Sequence, residues 1–220
     1  MALQQMEQGN LHLAAPVAEY CPEFADIRVL DGWDGDTPRL RAPATQATVK
    51  QLVTHTCGLG YLLLSDDLIR WAAATGTTNV LSGANAIFAA PMVSDPGACF
   101  RYGISTDWLG KVVEAVTGVG LDVASRKASP ARWGWTTPPS SSRRLGPGLK
   151  WGLGLLLNTK DIPGMRRAYS GAWSGLVNTH FWVDRASGIC ASIYSNFLPL
   201  MPPAAVRLYQ EFEVALYASL

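Results

Sequence analysis

Apolar residues recur along this chain with two different periods, and the change falls a little past its middle. Up to residue 127 the spacing is mostly helical. Leu109, Val112, Val113 and Val116 repeat at helix intervals behind Ser105 and Thr106, either of which can cap, and Gly118 stands where a helix stops. Thr48, with Gln51 three residues later, forms a capping box that opens a helix expected to stop at Gly58. Ser65-Asp66-Asp67 opens the helix LIRWAAATG with acids in its first turn, where the helix dipole favours them. Residues 84–90 make a further helical piece ended by Pro91, and Leu121 to Lys127 another. Ahead of these, Ala2, Leu3 and Met6 give a two-turn helix stopping at Gly9-Asn10, too short to persist alone. A strand is expected at Ile27–Leu30, then the turn-rich DGWDGDTPR, then a short strand around Leu40.

Beyond residue 150 the period shortens. WGLGLLLN (151–158) reads as one strand and AYSGAWSGL (168–176) as a second. THFWVD (179–184) and ICASIYS (189–195) flank the turn Arg185-Ala186-Ser187-Gly188 as a hairpin. A helix follows Pro202-Pro203, with Leu208, Phe212 and Leu216 on one face and Arg207, Glu211 and Glu213 beside it. Helices first, then an antiparallel meander closed by a helix, predict an α+β fold. The organisation expected is one domain over 1–220, with a helical subdomain at 48–127. A Pro-, Ser- and Gly-rich linker follows at 128–150, then strands plus a C-terminal helix at 151–220.

Composition narrows the class of protein. Apolar residues are 48% and charged residues 16% of the 220, enough for a sizeable core. The formal net charge of +1 argues against nucleic acid or an anionic membrane surface as a partner. No apolar run reaches the ~18 residues of a membrane span. The N-terminus lacks the basic and apolar regions of a signal peptide, so a cytoplasmic location is expected. Cys21, Cys57, Cys99 and Cys190 are far apart and read as free, mostly buried thiols.

Candidate chemistry is constrained mainly by what is missing. His12, His55 and His180 have no metal-ligand spacing, and no phosphate-binding or dinucleotide glycine motif occurs, so neither metal nor cofactor is expected. No serine sits in a G-x-S-x-G elbow. The remaining serine chemistry uses S-x-x-K on a helix with a tyrosine as partner base. Tyr102 stands just ahead of a helix entrance, after the turn Asp95-Pro96-Gly97, where it can be ordinary packing or a general base.

Four blocks resemble consecutive parts of the serine β-lactamase-like superfamily, and within it the family VIII esterases related to class C β-lactamases. They are MEQGNLHLAAPVAEYCPEF, VKQLVTHTCGLG, DPGACFRYGISTDWLGKVVEAVTG and GAWSGLVNTHFWVDRASGICASIYSNFLPL. They come in the family's order and cover most of 5–127 and 151–218. The resemblance implies an antiparallel sheet flanked by N- and C-terminal helices, with a mostly helical subdomain. It implies hydrolysis of a small ester or amide without a cofactor. It places Tyr102 at the catalytic tyrosine of the Tyr-x-Asn motif, and Trp173-Ser174-Gly175 at the Lys-Thr-Gly strand that lines the pocket and helps form the oxyanion hole. His55 and Gly58 match a recurrent structural block beside the site.

The departures are specific. Ile104 stands where many relatives have the asparagine of the substrate pocket, and Trp173 where β-lactamases carry a cation. Lys50, Lys111, Lys127, Lys150 and Lys160 follow Ala47, Trp108, Ala124, Pro147 and Leu157 by three residues, so no S-x-x-K occurs. Set against the family, the chain reads as starting downstream of the nucleophile, with an incomplete fold that is shortened again at 128–150. Ser105 and Ser174 can be read as substitute nucleophiles or as hydrogen-bonding and capping serines. Trp133, Trp135 and Trp151 can line a pocket or pack in the core. Three functions are therefore open: an esterase-type hydrolase of this family, a pseudo-enzyme that keeps a ligand pocket, and a self-associating fragment with no function of its own.

Overall fold

The computed structural model describes residues 1–77, 84–127 and 144–220. These fall into two compact units, Met1–Thr136 and Thr137–Leu220.

In the first unit, α1 (Ala2–Glu7) is followed by two short 3₁₀ turns and the hairpin β1 (Val29–Asp34) and β2 (Thr37–Arg41). The first strand runs past the expected Leu30 to Asp34, because Gly35-Asp36 alone suffice to reverse the chain. Helix α2 (Val49–Val53) carries the complete capping box. Thr48 accepts from the Gln51 amide, while Gln51 Oε1 accepts from the Thr48 amide at 2.9 Å. It ends at Val53, five residues before Gly58, with Thr54 as its cap, and His55 follows with φ 51°. Helix α3 (Asp66–Thr75) starts on Ser65, whose side chain accepts from the Leu68 amide, and stops on left-handed Gly76. Residues Asn85–Ala89 form a 3₁₀ turn.

Helix α4 (Ser105–Thr117) ends on left-handed Gly118, as its pattern predicts. Its start differs from expectation. Ile104 occupies the cap position, and neither Ser105 nor Thr106 caps, because both side chains have other partners. Trp108, Val112 and Val113 of this helix are buried with Val49 and Leu52 of α2, so the core of the unit lies along these two helices. Helix α5 (Leu121–Lys127) follows.

Among its described residues, the second unit is a six-stranded antiparallel meander with neighbours in sequence order. It comprises β3 (Arg144–Gly146), β4 (Leu149–Trp151), β5 (Leu156–Asn158), β6 (Gly171–Ser174), β7 (His180–Asp184) and β8 (Ile189–Ile193). The expected linker 128–150 lies outside the described residues up to 143, and its last part is strand. The expected single strand 151–158 is two strands. Gly152 donates to the Leu155 carbonyl at 2.8 Å, and Gly154 turns the chain at φ 87°.

Helix α6 (Pro203–Ala218) has proline in its first turn, where no amide partner is lost. It buries Ala205 and Glu213, whereas Leu208 and Phe212 of the expected inner face are exposed. Phe212 still meets the buried Trp182 ring at 5.9 Å, so the helix is rotated rather than reversed, and the inward turn of Glu213 has a cause. Arg166, itself buried, donates to both carboxylate oxygens of Glu213 at 2.7 and 2.6 Å and also reaches the Tyr209 hydroxyl. Asp184, 1% exposed, accepts from the Arg167, Ala186 and Ser187 amides and from the Tyr217 hydroxyl, closing the β7–β8 turn and holding α6. All four cysteines are free, but only Cys21 and Cys57 are buried; Cys190 is exposed.

Candidate functional site

Tyr102 lies in the loop ahead of α4, half-buried, and the loop is fixed from both sides. Upstream, Asp95 accepts from Arg41 at 2.9 and 2.8 Å and from the Ala44 amide at 2.8 Å. The Arg41 hydrogen bonds, then the Ala44 amide, hold the Asp95 carboxyl down at about 2. This anchors the Asp95-Pro96-Gly97 turn. Downstream, the loop runs directly against residues 59–60. A Cβ on Gly103 would stand 2.4 Å from the Gly60 carbonyl carbon, so only glycine fits beside Tyr102.

His55 ties this loop together. Its carbonyl accepts from the Arg101 amide at 2.8 Å, its Nδ1 accepts from the Gly103 amide at 3.4 Å, and its Nε2 lies 3.4 Å from Thr106 Oγ1. With Nδ1 accepting, the ring proton sits on Nε2 and points to Thr106. The ring packs on Tyr102, centroids 4.7 Å apart. It is 2% exposed, and burial pushes its pKa down to about 4, so the imidazole is neutral at pH 7. It thus positions Tyr102 without supplying a charge.

Two partners come from further along the chain. The Tyr61 ring lies 5.4 Å from that of Tyr102. The Tyr61 hydroxyl donates to Asp107 in the first turn of α4. Burial, then the Asp107 charge, pushes the Tyr61 phenol up to about 12, and burial raises the Asp107 carboxyl. Nothing in the sequence singled out this pair. Tyr61 and Asp107 are 46 positions apart, and neither belongs to a recognisable motif, although Asp107 in the first helical turn is a position where an acid is favoured.

The remaining expected residues have different settings. Ile104 is 1% exposed and packs in the core of the first unit. Ser105 is fully buried and shares a 3.1 Å hydrogen bond with Cys57 Sγ, so as a nucleophile it has no access to substrate. Trp173 and Ser174 lie on β6 in the second unit, where Trp173 meets Trp151 edge to face at 4.6 Å. Gly175 follows the strand, and a Cβ there would stand 2.3 Å from Thr179 Oγ1. Trp133 and Trp135 lie outside the described residues. Among the described residues, no cluster of His, Cys, Asp and Glu could hold a metal ion, and no helix is long and apolar enough to cross a membrane.

The loop ahead of α4 thus brings Tyr102 against the ring of His55. Residues 1–128 match the family described as Beta-lactamase, and the chain belongs to that family. Monacolin J acid methylbutanoyltransferase of Aspergillus terreus is 39% identical over 125 residues, which are 56% of this chain and 30% of that protein. Lovastatin esterase of Penicillium rubens is 36% identical over 120 residues, 53% of this chain and 30% of that protein. The chain thus matches about 30% of the length of these curated relatives. Unliganded simvastatin synthase from Aspergillus terreus matches in structure with a TM-score of 0.82, covering 99% of this chain and 80% of that one at 23% identity, which bears on the fold alone.

Proposed function

We propose that these 220 residues carry the tyrosine portion of an ester-cleaving or acyl-transferring serine site of the β-lactamase family, and that they do not turn substrate over unaided. The observation that carries this reading is Tyr102 held by His55 and Gly103 inside the stretch that matches the family. In this reading Tyr102 is the base, and Trp173, Ser174 and Gly175 keep the role of the pocket strand. The chemistry is acyl transfer from an ester to water or an alcohol, as the names of the methylbutanoyltransferase and the esterase suggest. Nucleophile and base act as a unit, and without S-x-x-K only binding effects are left.

Trp173, in place of a cation, favours a small ester over a charged β-lactam, whereas Ile104, packed in the core, has no part in the pocket. The test is treatment of the purified chain with a fluorophosphonate probe. No labelling is expected, and stoichiometric labelling of Ser174 would overturn the reading. Once an S-x-x-K segment is supplied, short p-nitrophenyl esters should be hydrolysed faster than penicillin. A ligand-binding role without turnover is the second reading, favoured by a sequence that has the family's tyrosine position but no S-x-x-K.

A further inference from the structure

Helix α6 docks on one face of β7, where His180, Trp182 and Asp184 alternate along the strand and are all buried. The His180 ring stacks on Tyr209, centroids 4.4 Å apart and planes at 22°. The Trp182 ring meets Tyr209 and Phe212 at 5.6 and 5.9 Å, and Asp184 accepts from the Tyr217 hydroxyl at 2.8 Å. These contacts hold the helix from Tyr209 to Tyr217. Trp182 does not titrate and carboxylates titrate near ~4, so in mild acid His180 is the contact that changes charge.

The surroundings of the ring have no place for that charge. Its Nε2 is buried without a hydrogen-bond partner among the described residues. A neutral ring can leave Nε2 as a bare acceptor, whereas an imidazolium carries an N–H on both nitrogens, one of them then buried and unpaired. The charged groups of the neighbouring elements are Arg166, ahead of β6, and Glu213 on α6. Arg166 takes both oxygens of Glu213 and also reaches the Tyr209 hydroxyl, so a second cation beside it finds no free carboxylate. Asp184 is engaged by three amides and Tyr217. Ser174 and Ile193, across from His180 on β6 and β8, carry no charge. Burial, then the Arg166 charge, accordingly lowers the His180 pKa from its ordinary 6.5. Below pH 6.5 an undocked His180 binds a proton that the docked one refuses, so docking is strongest above that pH and weakens as pH falls. Nε2 is reached by a proton only when the stack opens, which ties proton uptake to release of the helix.

We propose that His180 is a proton-operated latch, whose protonation in mild acid favours release of α6 from β7 ahead of the rest of the sheet. A released α6 loses the packing that supplies most helical stability, so its amides exchange. Hydrogen exchange of the full chain, corrected for the intrinsic rate at each pH, reads this segment by segment. Amides of α6 should open several-fold more often at pH 5 than at pH 7, and at most about 25-fold, the ratio that an open-state value of 6.5 allows. Those of β5 to β7 should change less. His180→Phe, which keeps a ring against Tyr209 and has no basic nitrogen, should remove the response of α6 while leaving the helix protected at pH 7. His55→Asn, which acts on the first unit, should leave the response of α6 in place. Equal protection of α6 at the two pH values, a loss spread evenly over α6, the strands and α4, or a response that survives His180→Phe would overturn the proposal. If His180→Phe does not fold, the exchange pattern of the unsubstituted chain and the uncharged His180→Gln decide in the same way.

Discussion

His55 has a backbone φ of 51°, and its buried ring, neutral at pH 7, makes the Tyr102 loop sensitive to acid. Folding lowers its pKa from 6.5 to about 4, so below pH 6.5 the unfolded chain binds a proton that the folded chain refuses. Stability therefore falls as pH drops through this window, by on the order of 3 kcal/mol for this residue. Urea midpoints between pH 7 and 4 should show the fall, and His55→Asn, which tolerates positive φ, should flatten it while lowering the midpoint at pH 7. Gly103→Ala should be more damaging, since a backbone carbon has to move; a loss of about 3 kcal/mol or failure to fold is expected in thermal melts. Tyr102 was legible as a special residue because the Asp95-Pro96-Gly97 turn and the α4 pattern place it at a helix entrance. Tyr61 and Asp107 were not, because their pairing is created only when two distant segments meet.

Local signals fared best where an element answers to its own sequence. The Thr48–Gln51 box and the glycine stop at residue 118 depend on backbone groups a few positions away, and the structure has both. Helix α6 shows the opposite case. Its apolar stripe predicts Leu208 and Phe212 inside, yet the helix turns Glu213 inward to meet Arg166, 47 positions earlier. A charge pair across that separation outweighs a periodicity rule, and no local pattern reveals it. Glu213→Ala should cost about 3–5 kcal/mol by leaving a buried guanidinium without its partner. Leu208→Lys, at a position 57% exposed, should change stability by less than about 0.5 kcal/mol. Chemical denaturation of the two variants side by side distinguishes the observed orientation of the helix from the one its stripe predicts.

For the molecule as a whole, the α+β class followed from the change of period, and the resemblance supplied the family. The boundary between the units was harder to read, since strand β3 opens within a stretch whose composition is that of a linker. Among the described residues, strand β8 is an edge of the sheet, and it has no charged residue or proline to discourage pairing. Beyond it, Tyr194, Leu198, Leu200 and Met201 are exposed. Self-association at micromolar concentration is the expected result, seen as early elution in size-exclusion chromatography. Ser192→Lys, on the exposed side of the edge strand, should move the peak toward monomer. A sharp monomer peak for the unsubstituted chain would contradict this.

The meander has one more consequence, in time rather than in space. Strands β3 to β8 stand in the sheet in the order in which they are synthesised, so each can pair with a neighbour that has only just been made. Short closures cost little chain entropy, and hairpins of this kind form in microseconds. The Arg166–Glu213 pair and the Asp184–Tyr217 bond reach across 47 and 33 positions, so they close after the strands they brace. During refolding, amides of β7 and β8 should accordingly become protected from exchange before those of α6 do.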